Sequence, residues 1–67
     1  MSVVKVIEII ASSEKSFEDA VQNAVNEASK SVKNIDSVYV KHAKCHVKDG
    51  KIATYGVNCK VSFRVDV

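Results

Sequence analysis

The 67-residue chain has no proline and no tryptophan, only two glycines and two cysteines, and four aromatic rings in all, two Tyr and two Phe. Nothing in it reads as a linker, a low-complexity stretch or an internal repeat, so residues 1–67 are taken as a single domain. The excess of 10 basic over 8 acidic side chains leaves a formal net charge of +2, and the lysines are spread along the chain. A nucleic-acid partner therefore has no compositional support, because it calls for a concentrated basic stripe. No apolar run approaches the length of a membrane span, and the start lacks a signal-peptide pattern. The expectation is no membrane partner and a cytoplasmic location. An apolar fraction of 46% disfavours disorder, yet so short a chain can bury only a marginal core and is expected to need a staple, a metal or self-association.

What the chain does have is alternation. Ala53, Tyr55, Val57, Cys59, Val61, Phe63, Val65 and Val67 fall on one parity, with Thr54, Gly56, Asn58, Lys60, Ser62, Arg64 and Asp66 on the other. A period of two predicts one long strand with a buried and a polar face. Residues 3–10 are rich in β-branched side chains and predict a first strand. Ser16 followed by Asp19 resembles a capping box, and Glu18 and Asp19 suit a helix start. Phe17, Ala20, Val21, Ala24, Val25, Ala28 and Val32 then recur at helical spacing, a stripe of small side chains that lets a helix sit close to a sheet. Asn34 is a stop tolerant of the left-handed conformation. Residues 35–47 predict a second strand, and Asp49-Gly50 a two-residue hairpin turn into the third. The predicted order is β-α-β-β.

Pairing outward from that turn puts Val40 opposite Cys59, Val38 opposite Val61 and Asp36 opposite Phe63. The other face then carries Ser37, Tyr39, Lys41, Ala43 and Cys45 opposite Ser62, Lys60, Asn58, Gly56 and Thr54. Cys45 and Cys59 fall on opposite faces, five residues or about 17 Å out of step, which argues against a disulfide and for a reducing compartment. A helix over 17–32 spans about 24 Å, whereas a hairpin arm over 37–48 spans about 40 Å. The sheet should overhang its helix and need cover from another copy of the chain.

Taken together, Lys5-Val6-Ile7-Glu8, the run Ser13 to Ala20, Asn23-Ala24-Val25, Ala28-Ser29-Lys30, Asp49-Gly50-Lys51-Ile52-Ala53 and Lys60-Val61-Ser62-Phe63-Arg64 resemble the dodecins, nearly end to end. The resemblance implies an α+β subunit, a three-stranded antiparallel sheet wrapped around one helix, twelve of which form a hollow homododecamer. It also implies a non-catalytic protein that stores riboflavin or FMN, pairs of flavins being stacked between tryptophans at subunit interfaces. Two family features depart: the stacking Trp is replaced by Ser37, and a Gln that bonds the flavin edge by Gly56. Loss of both should weaken flavin binding, since aromatic stacking adds about 0.5–1.5 kcal/mol to area burial. Because some members resemble calcium-binding proteins, the alternative implied is a flavin-free structural or calcium-binding shell.

The candidate cofactor-binding positions are thus Ser37, Tyr39 and Gly56. Tyr39 shares the face of Ser37 and offers a substitute aromatic surface, although an intersubunit contact is the simpler use of a tyrosine there. His42, Cys45 and His46 do not make a metal site within one regular strand: the histidines are about 13 Å apart and Cys45 points the other way. Cys59 reads as a small buried hydrophobe. Cys45 has no oriented base, so neither a nucleophile nor any other catalytic residue is assigned. Glu8, Glu14, Glu18 and Asp19 are read first as surface and helix-start charges, and Arg64 as an intersubunit partner for Glu8 or Glu14.

Overall fold

The computed structural model describes residues 3–65. Asp66 and Val67, which the alternation assigns to the last strand, lie outside the described residues. The elements are β1 (Val3–Ser13), α1 (Phe17–Ser29), β2 (Ile35–Lys48) and β3 (Lys51–Val65). They form one antiparallel sheet in the order β1-β3-β2, with α1 packed on one face. This is the expected β-α-β-β architecture. Among the described residues no helix is long and apolar enough to cross a membrane.

Local chemistry fixes the helix start. Ser16 accepts the amide of Asp19 at 3.0 Å, satisfying one of the donors a helix leaves free at its N-terminus. The return bond of a capping box is not made. The Asp19 carboxylate instead accepts the buried Ser13 hydroxyl at 2.6 Å, tying the helix to the end of β1. Asn23 donates to the Ser12 carbonyl at 2.9 Å, and Phe17 packs edge-on against Tyr55 with ring centroids 5.1 Å apart. Together these anchor the first two turns of α1 to both β1 and β3. The helix ends at Ser29, one turn before the expected Val32, although the amides of Lys30, Ser31 and Val32 still bond back to Glu27 and Ala28. Asn34 adopts φ 63°, as a left-handed stop requires, and its carbonyl accepts the amide of Arg64.

The core is thin and made of small groups. Ala20 and Ala24 meet Val57 and Cys59, with Ile9, Ala11, Val21 and Val38 at the margin of this cluster, and Ala28 and Val61 are buried as well. Burial pushes the Cys59 thiol above its ordinary range, in keeping with its reading as a small hydrophobe. Since Ala24 has no exposed surface, Ala24→Leu must push helix and sheet apart. A loss of about 1–3 kcal/mol is expected, seen as a lower urea midpoint at fixed protein concentration. An unchanged midpoint would mean that the helix has room to move.

The register departs from the simple reading in the middle of the hairpin. Asp49 and Gly50 take φ 52° and 74°, the two left-handed positions of a type I′ turn. Val38 opposes Val61 and Val40 opposes Cys59, as expected, but the pairing then slips to His42↔Asn58, Ala43↔Val57, Lys44↔Gly56, Cys45↔Tyr55 and His46↔Thr54 before recovering at Val47↔Ile52. One extra residue, Lys41, is bulged out of β2, and one, Ala53, out of β3. A bulge reverses which face each following residue takes. Ala43 and Cys45 therefore share the helix-side face with Val57, Tyr55 and Cys59, which corrects the expectation that the two cysteines lie on opposite faces. They stay four residues apart along β3, about 13 Å, and both are free. A further irregularity at Asp36 brings Ile35, not Asp36, opposite Phe63, an apolar pair in place of a charged one.

Candidate ligand-binding face

The face of the sheet turned away from α1 collects the chemistry. Here β1 contributes Ile10 and Ser12, β3 contributes Gly56 and Asn58, and the bulged arm of β2 contributes His42, Lys44 and His46. The strands curl around these groups to form an open cavity of about 560 Å³, a size that suits a small ligand. Gly56 forms its floor, buried although it has no side chain. A Cβ added there would meet the Lys44 carbonyl at 3.7 Å, an ordinary contact, so the glycine is not forced by crowding and a longer side chain is accommodated.

Asn58 is the most telling group. Its side-chain oxygen is fully shielded and has no hydrogen-bond partner. An acceptor left unpaired costs about 1–3 kcal/mol, a cost that an O–H or N–H donor brought to it removes. Sequence reading missed Asn58 and also His42 and His46 as cavity groups. The only signal was the polar parity of Asn58; the histidines reach this face through the bulge at Lys41. Lys41 itself stands 3.8 Å from Glu8, a half-exposed pair of little energetic weight.

The three expected site residues are only partly brought together. Ser37 opposes Ser62 and Tyr39 opposes Lys60, so both share the face of Gly56. Ser62 is nevertheless six residues from Gly56 along β3, about 20 Å, and neither Ser37 nor Tyr39 lines the cavity. Tyr39 is 66% exposed. A pocket that uses both ends of this face needs a second copy of the chain. At the start of α1 a smaller hollow of about 320 Å³ carries Glu18 and Asp19, but Asp19 is already engaged by Ser13. Among the described residues no three His, Cys, Asp or Glu side chains are grouped to hold a metal ion.

A curled antiparallel sheet holding one helix on one face and an open cavity on the other defines a small α+β binding domain. The chain belongs to the dodecin family, whose model matches residues 3–66. Dodecins are non-catalytic flavin-binding and storage proteins, and this chain is accordingly a small non-enzymatic binding protein. Among solved structures it is similar to the dodecin of Streptomyces davaonensis, at 32% identity and a TM-score of 0.90, covering 98% of this chain and 97% of that one. It is also similar to a Thermus thermophilus protein, at 28% identity and a TM-score of 0.93, covering 100% and 98%. A third is the calcium-chelating immunodominant antigen, calcium dodecin, of Mycobacterium tuberculosis, at 36% identity and a TM-score of 0.80, covering 96% and 91%. No curated protein matches the chain.

Proposed function

We propose that this protein is a homododecameric, cytoplasmic shell that binds and sequesters a small planar ligand, with riboflavin or FMN the family's default. The observation that carries the reading is the 560 Å³ cavity lined by Ile10, Ser12, Gly56 and Asn58 with the polar side chains of β2 along one side. The residues present fit a flavin in part. Ser12 and the imidazoles of His42 and His46 supply polar contacts, whereas among the described residues no Phe or Tyr ring lines the cavity within one subunit. Stacking surface would have to come from Tyr39 of another copy. When bound, a flavin brings light absorption and redox activity of its own; the chain's contribution is to hold the ring edge and exclude water. Flavin-free calcium binding is the second reading, favoured by the 36%-identical calcium dodecin.

The test is a riboflavin and FMN fluorescence-quenching titration on protein shown to be dodecameric by native mass spectrometry. Saturable, stoichiometric quenching is expected. An intact dodecamer that quenches neither flavin would sink the flavin reading, and a rise in melting temperature with added calcium would then favour the ion shell.

A further inference from the structure

We propose that the β2–β3 hairpin is a register switch: residues 41–46 slide by one place along β3, exchanging a cavity wall of His42, Lys44 and His46 for one of Lys41, Ala43 and Cys45. The pairing itself carries this. Val38↔Val61, Val40↔Cys59, Val47↔Ile52 and Lys48↔Lys51 keep one register, while the five pairs from His42↔Asn58 to His46↔Thr54 stand one place away from it. The bulges at Lys41 and Ala53 are the two ends of that displaced block. Returning both extra residues to the ladder gives an unbroken hairpin, with Ala43 opposite Gly56, Cys45 opposite Thr54 and His46 opposite Ala53. The Asp49-Gly50 turn and the pairs on either side are common to both forms.

A register is held firmly where one face is buried, and this block of β2 has almost no buried face. His42, Ala43, Lys44 and His46 are exposed, and Cys45 is half-buried. The strand that slides is an edge strand, so its long side chains reach solvent from either face. β3 stays in place. Its residues keep their partners on β1, from Ile10↔Asn58 to Ser13↔Tyr55, and β1 ends there. Ala53 is therefore re-paired without disturbing a third strand. Sliding restores two residues to the ladder, since a bulge leaves one unpaired. Against it, the bulged form keeps Ala43 and Cys45 beside Val57 and Tyr55 on the helix side, where the slid form sets His42 and Lys44. The bulged register dominates and the slid one is a minor state.

The consequence is a cavity with two linings, one carrying two imidazoles and a lysine, the other a lysine, a methyl group and a thiol. A ligand that prefers one lining shifts the register by its differential affinity for the two. The slide itself does not depend on the flavin reading.

Cys45 is the reporter, because it faces Tyr55 in the bulged register and Thr54 in the slid one. Tyr55→Cys and Thr54→Cys are made separately in the full chain, and disulfide closure by oxidised glutathione is followed by denaturing mass spectrometry with peptide mapping. Directly opposed residues lie within disulfide range, whereas residues pointing to opposite faces cannot be bridged. Tyr55→Cys should close quickly. Thr54→Cys should close within one chain about 10–1,000-fold more slowly, as a minor state of about 0.1–10% requires. When Lys41 and Ala53 are both deleted, every other pair is kept without a bulge and sliding gains nothing. The Thr54→Cys bridge should then form at least about tenfold more slowly still. A second comparison, in a Cys45→Ser chain, decides if Tyr55→Cys does not fold. There Gly56→Cys, where a Cβ meets nothing closer than 3.7 Å, is combined with Lys44→Cys for the bulged register or with Ala43→Cys for the slid one. A slid-register bridge that is absent after about 1,000 closing times of the bulged one overturns the proposal. So does one that forms as fast in the shortened chain, or one that links two chains instead of closing within one.

Discussion

Ser37→Trp combined with Gly56→Gln should raise riboflavin affinity about 30-fold in the assembled protein, and much less in any form that does not assemble. An indole face brought against a ring system contributes area burial plus about 0.5–1.5 kcal/mol of stacking, and an added amide contributes a hydrogen bond of about 1 kcal/mol. Ordering two new side chains offsets part of this, leaving roughly 2 kcal/mol, or about 30-fold. The backbone at Gly56 accepts the change, since a Cβ meets nothing closer than 3.7 Å. The dependence on assembly follows from register. Ser37 and Gly56 share a face but are separated by six residues of β3 within one subunit, so one chain cannot close both groups on the same ring. Fluorescence titration of the double variant and the two single variants, each checked by native mass spectrometry, measures this. No gain in an intact assembly would show that these positions do not belong to one ligand pocket.

What the sequence discloses here is set by how local the cause is. Ser16 caps the helix through an amide three residues away, and Asp49-Gly50 takes the two positive φ values that its residue types favour. Both could be read from a few letters. The bulges could not. Lys41 and Ala53 are not glycines and break no alternation visible along one strand; they show only in the pairing of two strands. Because one bulge lies on each arm, their shifts offset, so Val40↔Cys59 on one side and Val47↔Ile52 on the other obey the simple register while the residues between them do not. The misread stretch is the one that builds the cavity. His42, Lys44 and His46 belong to the ligand face solely because Lys41 is extra, and a strictly alternating strand would have turned Ala43 and Cys45 there instead. The unpaired oxygen of Asn58 was hidden for a related reason, since whether an amide finds a partner depends on three strands at once.

Val47→Asp with Ile52→Asp should prevent assembly while leaving the subunit fold recognisable. These two residues pair across the hairpin next to its turn, and in the single subunit they are 64% and 56% exposed. The molecule measures 52 Å along its longest axis, whereas the 13-residue helix covers about 20 Å of it. The helix enters the sheet near Tyr55, through Phe17, so the hairpin beyond that point has no cover of its own. An apolar pair on such an overhang is explained by burial against another copy, where each side chain would contribute about 1.5–3 kcal/mol. In a closed shell that contribution recurs at every subunit. Two carboxylates at the same place lose it and add the penalty of burying unpaired charge. Native mass spectrometry should therefore show monomers or small oligomers, with the β-rich circular dichroism spectrum retained at low temperature and a lower melting temperature. The small core of Ala20, Ala24, Ala28, Val57, Cys59 and Val61 must then hold the fold alone, which is marginal for a chain of this size. If the double variant still assembles like wild type, the overhang is solvent-exposed in the shell and the contacts that close it lie elsewhere, with Val4, Val6 and Ile10 on β1, all more than half exposed, the next surface to charge.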